Sequence, residues 1–507
     1  MLVRGRDLSG DLSLEADAVV VGTGAGGGMA LRELARAGMR VVALEEGGYH
    51  LPSDFTQRED EMLPLLFQDR GARMTKDFAI RVLMGRGVGG STLHNTNLCK
   101  RTPPEILAQW ARHHAVSGCS EKDLAPVFDE VERDLSVSEI REEDRNANNR
   151  ILERGVRALG WKGGPLRHNR VGCQKSGFCE LGCVYNAKEN ALKVLVPQAL
   201  ETGNLTLYAD VRATRIEHGG GEVRGVRGVA LDANGKARAS LFVKAPIVVL
   251  SAAAVGSPAL AIASDVPDPH DQLGRGLRLH PGAVIAGVFD DRIDGVYGIP
   301  QSYECTEFLD FSEGSDRRVW ITTVFAHPIG AAAMMPGFGA PHMALMRKFA
   351  HIAVLTAMVH DETSGRVSLA SDGSPIVAYA MLREDREQLA LGLRKSAEIL
   401  LAAGAQEVML PALVPLRITS RKDIDAITAE VARPHHVPLT AVHPMGTMRM
   451  GDDPKRAVVK STGEHHQLRG LFVLDGSLFP TSLGAPPQIS IYSFAKHLSR
   501  FAIERAR

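Results

Sequence analysis

Three groups of residues in this chain carry chemistry by type and spacing. The first is Gly22-Thr23-Gly24-Ala25-Gly26-Gly27, followed about twenty residues later by Glu45. Gly22 permits a tight turn, Gly24 lets the backbone approach a pyrophosphate, and Gly27 lets a helix pack close to a sheet. A helix opening there aims unpaired N–H groups and its positive dipole end at the phosphates. An acid at Glu45 can accept hydrogen bonds from a ribose, so the set reads as a dinucleotide site. The second group is Gly85-Arg86-Gly87-Val88-Gly89-Gly90-Ser91-Thr92-Leu93-His94-Asn95. Its glycines let the main chain run flat against a ligand, and Ser91, Thr92 and Asn95 offer hydrogen bonds; taken alone it is a loop. The third is Cys173, Cys179 and Cys183, spaced by six and four in GCQKSGFCELGC. Three thiolates on one Gly-rich loop could hold an iron–sulfur cluster, although Val184 stands where ferredoxin runs commonly carry Pro. Zinc needs a fourth ligand that the spacing does not place, and buried structural thiols are the plain alternative.

The elements that must position these groups follow from the apolar pattern. Ala18 to Val21 is a short apolar run, Met29 to Ala37 is helical in period, Gly38 stops the helix, and Val41 to Leu44 is a second apolar run ending at Glu45. This is the strand, turn, helix, strand and acid order of a dinucleotide-binding unit. Charged helical stretches occupy much of Pro103 to Ala158. Leu205 to Val229 alternates like paired strands, with Gly219-Gly220-Gly221 as the expected hairpin turn. Ile247 to Leu250 is a strand leading into a helix near Ala259. Ala331 to Met346, rich in Met and Gly, has little period and reads as a loop. Arg366 to Leu369 and Ile376 to Ala380 read as strands, and Arg386 to Ala403 as a helix stopped by Gly404.

A chain of 507 residues suggests more than one domain, and 44% hydrophobic residues supply an ample core. Lys+Arg and Asp+Glu are both 59, which argues against a nucleic acid or an anionic membrane held by bulk charge. The first residues contain no continuous apolar core of a signal peptide. Ile247 to Ala263 is interrupted by Ser251, Gly256, Ser257 and Pro258, so it reads as strand, turn and helix rather than a membrane span. Six cysteines do not suggest a disulfide scaffold, and a cytoplasmic location is expected.

Near the C-terminus stand Ala441-Val442-His443-Pro444-Met445-Gly446-Thr447-Met448-Arg449-Met450-Gly451 and an apolar strand closing on Asp475. With the front glycine unit, the GRGVGGST loop, Val248 to Pro258 and Gly276 to Pro281, they make the chain resemble the glucose–methanol–choline (GMC) flavoprotein oxidoreductases over nearly its whole length. In look it is nearest to the long-chain alcohol oxidase branch, on the SGFC-x-x-GC loop and on Ala350 to Val367 with His360-Asp361-Glu362-Thr363-Ser364-Gly365. The resemblance implies an α/β fold: a Rossmann-type FAD-binding domain from 15–100, 195–285 and 440–507, and an inserted α+β substrate domain on an antiparallel sheet from 101–194 and 286–439. It implies FAD held by Gly22, Gly24, Gly27 and Glu45 at the ADP half, and by Gly90, Ser91 and Asn95 along the pyrophosphate and ring. Val211 would meet the adenine through its backbone, and Asp475 would sit by the ribityl or pyrophosphate region. His94 occupies the place where some members attach flavin covalently; the alternative is a polar residue facing the flavin edge.

His443 falls at the catalytic histidine position. An imidazole with an unperturbed pKa near ~6.5 suits acceptance of a hydroxyl proton while hydride passes to flavin. The implied activity is oxidation of a CH–OH group of a small apolar alcohol, with dioxygen or a redox partner as electron acceptor. Met334, Met335, Met343 and Met346 fit an adaptable apolar pocket wall. The pattern departs at Pro486, where the family usually places Asn or His; proline has no side-chain donor and no N–H. Two alternatives follow: a lyase-type, non-oxidative flavoprotein on the same fold, or a dehydrogenase subunit passing electrons through a cluster at the three cysteines.

Overall fold

The computed structural model describes residues 1–324 and 326–507. Its organising element is a six-stranded sheet in the order Leu2–Arg4, Leu205–Ala209, Val41–Leu44, Ala18–Val21, Val248–Leu250, Leu471–Val473, with every neighbouring pair parallel. Ala18–Val21, Val41–Leu44 and Val248–Leu250 are buried at every position. Such continuous apolar runs mark strands covered on both faces. The helix Ala25–Arg36 packs against this sheet and against the C-terminal helix Gln488–Ala506. A Cβ at Gly26 would lie 1.8 Å from the Leu474 carbonyl oxygen, and one at Gly27 1.9 Å from that of Gly22, so only glycine permits this approach. The chain departs from Ala18–Val21 to one side and later returns to its other side through Val248–Leu250. That reversal makes a crevice at the carboxyl ends of the strands, where ligands of open parallel sheets sit.

A second, nine-stranded sheet runs Leu416–Ile418, Glu407–Leu410, Gly282–Val288, Ile352–Val359, Val319–Thr323, Tyr303–Cys305, Gly163–Pro165 along an antiparallel path. Leu439–Ala441 pairs with Gly282–Val288 and, in parallel, with Ile80–Val82. The helix Arg383–Ala402 lies across this sheet; a Cβ at Gly392 would stand 2.5 Å from Val319 Cγ1. Smaller sheets complete the chain, including Val211–Gly219, Glu222–Leu231, Ala237–Lys244 and Leu12–Glu15. Among the described residues, no helix is long and apolar enough to cross a membrane.

Two expectations are corrected. The hairpin is Val211–Gly219 with Glu222–Leu231, turning through Gly220 and Gly221, whereas Leu205–Ala209 belongs to the parallel sheet. Asp210, with φ of 57°, separates the two strands. The Met-rich segment is not a loop throughout: it forms the short helices Pro328–Met334 and Ala340–Met346 near the surface.

Candidate functional site

The glycine cradle is assembled at the carboxyl ends of the parallel strands. Gly22, Glu45, Asp210-Val211, Ser251 and Asp475 each follow closely on one of five of these strands. The helix Ala25–Arg36 has Gly24 as its N-cap with no side-chain bond, leaving its first N–H groups to a ligand. The second glycine loop closes on the first: a Cβ at Gly90 would lie 2.8 Å from Gly24 Cα. Glu45 ties the two together. Its carboxylate accepts from Thr23 N–H at 3.1 Å, Thr23 Oγ1 at 2.8 Å, Gly47 N–H at 2.9 Å and Gly87 N–H at 3.2 Å. Burial pushes its pKa up, against those four bonds. Thr23 Oγ1 in turn accepts from Gly89 N–H at 3.1 Å.

The other expected cofactor residues fall around this cradle with partners of their own. Val211 donates its N–H to the Glu45 carbonyl at 2.8 Å, so that donor is committed. Asp475 accepts from Ser257 Oγ at 2.5 Å and from Ser477 N–H at 2.8 Å, and burial raises its pKa. Ser91 Oγ accepts from Gly85 N–H, shaping the loop. Asn95 donates to Gln488 Oε1 at 2.8 Å, just beyond Pro486. His94 is buried on the Phe67 ring at 3.9 Å between centroids, and its Nε2 has no hydrogen-bond partner. Burial, reinforced by Lys188, lowers its pKa to about 3. A backbone cradle that excludes Cβ atoms, unused helix N–H groups and an orphaned imidazole nitrogen fit a flavin dinucleotide.

His443 stands elsewhere, at a cleft against the large sheet. Leu439–Ala441 leads into it, and Arg278 and Met445 exchange N–H···O bonds of 2.9 Å, an antiparallel pairing that sets His280 against His443. Their Nδ1 atoms are 3.3 Å apart and their rings perpendicular at 85°. Gly484 N–H donates to His280 Nε2 at 2.9 Å. A ring nitrogen that accepts carries no hydrogen, so the His280 proton sits on Nδ1 and points at His443 Nδ1. The neutral His443 therefore carries its proton on Nε2, a tautomer assigned from the hydrogen-bond network. Burial, then the neighbouring His280, hold His443 well below its ordinary pKa; burial, then His360, lower His280 to about 3. His280 has φ of 51°, a left-handed conformation held where Asp361 accepts its N–H and that of Leu279.

The cleft is lined by His280, His360, His443, Gly484 and Ala485 with Trp320, Met358 and Val359. Its methionine is Met358; Met334, Met335, Met343 and Met346 are not among these lining residues. Pro486 is buried two residues beyond Gly484. Cys173, Cys179 and Cys183 do converge, lining a separate small cavity. Among the described residues, however, no three His, Cys, Asp or Glu are disposed to hold a metal ion. Burial pushes Cys179 up to about 11. The buried Lys188, which sequence reasoning missed, joins this loop to the glycine loop by donating to the carbonyls of Leu93, Asn95 and Cys179. His280 and His360 were also missed as site residues. His280-Pro281 repeats the His443-Pro444 dipeptide, which was the available signal.

A dinucleotide cradle on a parallel sheet, set with a histidine cleft on an antiparallel one, defines a two-sheet oxidoreductase. Two family models described as GMC oxidoreductase match residues 64–282 and 361–495. A GMC-type oxidoreductase of Mycobacterium tuberculosis, strain H37Rv, is 33% identical over 484 residues, covering 95% of this chain and 74% of that protein. A long-chain-alcohol oxidase of Arabidopsis thaliana is 29% identical over 513 residues, covering 96% of this chain and 66% of that protein. The chain belongs to the GMC oxidoreductase family, whose members bind FAD. Among solved structures, pyridoxine 4-oxidase from Mesorbium loti superposes with a TM-score of 0.72 at 19% identity, over 96% of this chain and 98% of the other. A formate oxidase variant of Aspergillus oryzae gives 0.74 at 15%, over 98% of each chain. These likenesses show the fold.

Proposed function

We propose that the protein oxidises the CH–OH group of a small, apolar alcohol. The observation that carries this reading is the cleft itself: neutral imidazoles face the same space as Trp320, Met358, Val359 and Ala485. An alcohol needs hydrogen bonds at its oxygen and apolar contact along its carbon chain, and this lining offers both. The FAD domain is drawn from 15–100, 195–285 and 440–507. In it Gly22, Gly24, Gly27, Gly90 and the helix N-terminus would hold the pyrophosphate, with Glu45 at the adenosine ribose. Ser91, Asn95, Val211 and Asp475 would complete the site. When bound, FAD supplies the hydride acceptor. With its Nδ1 accepting from His280, His443 presents Nε2–H to the substrate oxygen and orients it, in place of the proton-accepting role expected for it from the sequence, while the surrounding apolar side chains exclude water. Dioxygen or a redox partner then takes the electrons.

The test is anaerobic mixing of the FAD-loaded protein with aliphatic, aromatic, sterol and sugar alcohols. Bleaching of the flavin with stoichiometric carbonyl product is expected with the apolar alcohols. No bleaching with any of them refutes the reading and leaves the non-oxidative alternative that the buried Pro486 suggests. The same preparation tests attachment at His94: covalently held flavin stays with acid-precipitated protein and is released in His94→Ala.

A further inference from the structure

His360 follows the strand Ile352–Val359 and lines the cleft beside His280 and His443. Its Nε2 lies 3.2 Å from the Ser482 carbonyl oxygen. A carbonyl only accepts, so Nε2 carries the proton and Nδ1 is left as a bare lone pair. That Nδ1 is buried and has no hydrogen-bond partner. Buried acceptors are almost always paired, so an unpaired one facing a cleft marks a place for a ligand's donor. Its position is fixed by Gly484, where an added Cβ would lie 3.2 Å from His360 Nδ1 and 2.5 Å from the Phe311 ring. Gly484 adopts φ of 64° and donates its N–H to His280. One glycine thus gathers His280 and His360 at the segment where Pro486 withholds the family's polar side chain. Asp361, next in the chain, is turned to Leu279, His280 and Tyr379 and leaves His360 Nδ1 alone.

We propose that His360, through Nδ1, accepts the substrate's hydroxyl proton, replacing the polar residue that Pro486 lacks, while His443 donates its Nε2–H to the same oxygen. The assignment rests on the CH–OH oxidation proposed above. The O–H bond breaks and its proton moves to Nδ1, giving an imidazolium. The electron pair left on oxygen forms the carbonyl, and the C–H pair departs as hydride to the two-electron acceptor, the bound flavin. The two histidines divide the work because their fixed tautomers differ: Nε2–H is a donor on His443, and Nδ1 is an acceptor on His360. Burial lowers the His360 pKa to about 4, against the opposing pull of Asp361 and the Ser482 carbonyl, so the lone pair is present at neutral pH.

Two measurements on the FAD-loaded enzyme decide this. In anaerobic flavin reduction, His360→Leu is expected to lose about 10²–10⁴-fold in rate, as for removal of a general base. His360→Asn, whose amide reaches the place of Nδ1, is expected to recover part of it. In protein labelled with ¹⁵N-histidine at neutral pH, His360 is expected to show an unprotonated Nδ1. That resonance should shift on addition of trifluoroethanol, an alcohol that gives up hydride poorly. Wild-type reduction by His360→Leu, a protonated Nδ1, or an Nδ1 signal that ignores trifluoroethanol each overturns the assignment. Should His360→Leu fail to fold or to retain FAD, the wild-type tautomer and its response to trifluoroethanol settle the matter. A wild-type Nδ1 that responds to the alcohol in a protein that reduces no flavin refutes the oxidation reading and supports the contact.

Discussion

Replacing Asp361 by Asn removes one acceptor from a carboxylate that touches no reacting atom, and the rate should fall. One oxygen of Asp361 accepts from Leu279 N–H at 2.9 Å and from Tyr379 hydroxyl at 2.6 Å; the other accepts from His280 N–H at 3.3 Å. His280 is held at φ of 51°. For a residue with a Cβ, that conformation costs about 1–2 kcal/mol. A hydrogen bond to a charged acceptor contributes about 1.5–3 kcal/mol, so the His280 bond alone is enough to offset it. Asn keeps one oxygen for the shorter pair of contacts and turns an NH₂ toward the His280 N–H, donor against donor. The strain then has no local partner and His280 relaxes. Its ring bridges Gly484 and His443, so both move. A displacement of about 1 Å at a reacting centre costs on the order of 10²-fold in rate. Stopped-flow flavin reduction by Asp361→Asn should therefore slow by about that factor, with FAD content kept and KM little changed. Leu400→Ala, a buried truncation in Arg383–Ala402 away from the cleft lining, costs about 2–5 kcal/mol of stability and serves as the control; it should keep the rate. Wild-type reduction by Asp361→Asn refutes the positioning argument.

Gly90→Val should yield protein purified without flavin, because its Cβ alone would lie 2.8 Å from Gly24 Cα; full flavin content would place the cofactor elsewhere. Pro486→Asn should leave flavin reduction unchanged or raised in the wild type and should restore rate in His360→Leu, since it returns a polar group beside the cleft; no rescue would separate the two positions. Thermal unfolding should show stability falling as pH drops from 6.5 toward 4. His280 and His360, with folded pKa values of about 3 and about 4, stay neutral while the unfolded chain takes up protons. Each such histidine contributes a slope of up to about 1.4 kcal/mol per pH unit in that window and none above it. Equal unfolding midpoints at pH 7 and pH 5 would contradict the burial of these rings.

The dinucleotide unit was legible because it is local. Between Ala18 and Glu45 the order of apolar runs, glycines and acid lies within one short segment, and spacing alone sets the turn, the helix start and the acid, although the close approaches that require glycine at Gly22 and Gly26 are to Ser251 and Leu474 far along the chain. The helix near Ala259 and the one stopped by Gly404, with φ of 93°, were readable for the same reason. Periodicity failed at Leu205 to Val229, since an apolar strand carries no record of its sheet partner, and only the tertiary structure sends Leu205–Ala209 to one sheet and Val211–Gly219 to another. The cleft lay beyond sequence reading altogether. His280, His360 and His443 are far apart in the chain, and they meet through the Arg278–Met445 pairing and the end of Ile352–Val359. Which nitrogen of each ring holds a proton is decided by a peptide N–H at Gly484 and a carbonyl at Ser482. Those groups exist at every residue, so only their placement in space gives them meaning.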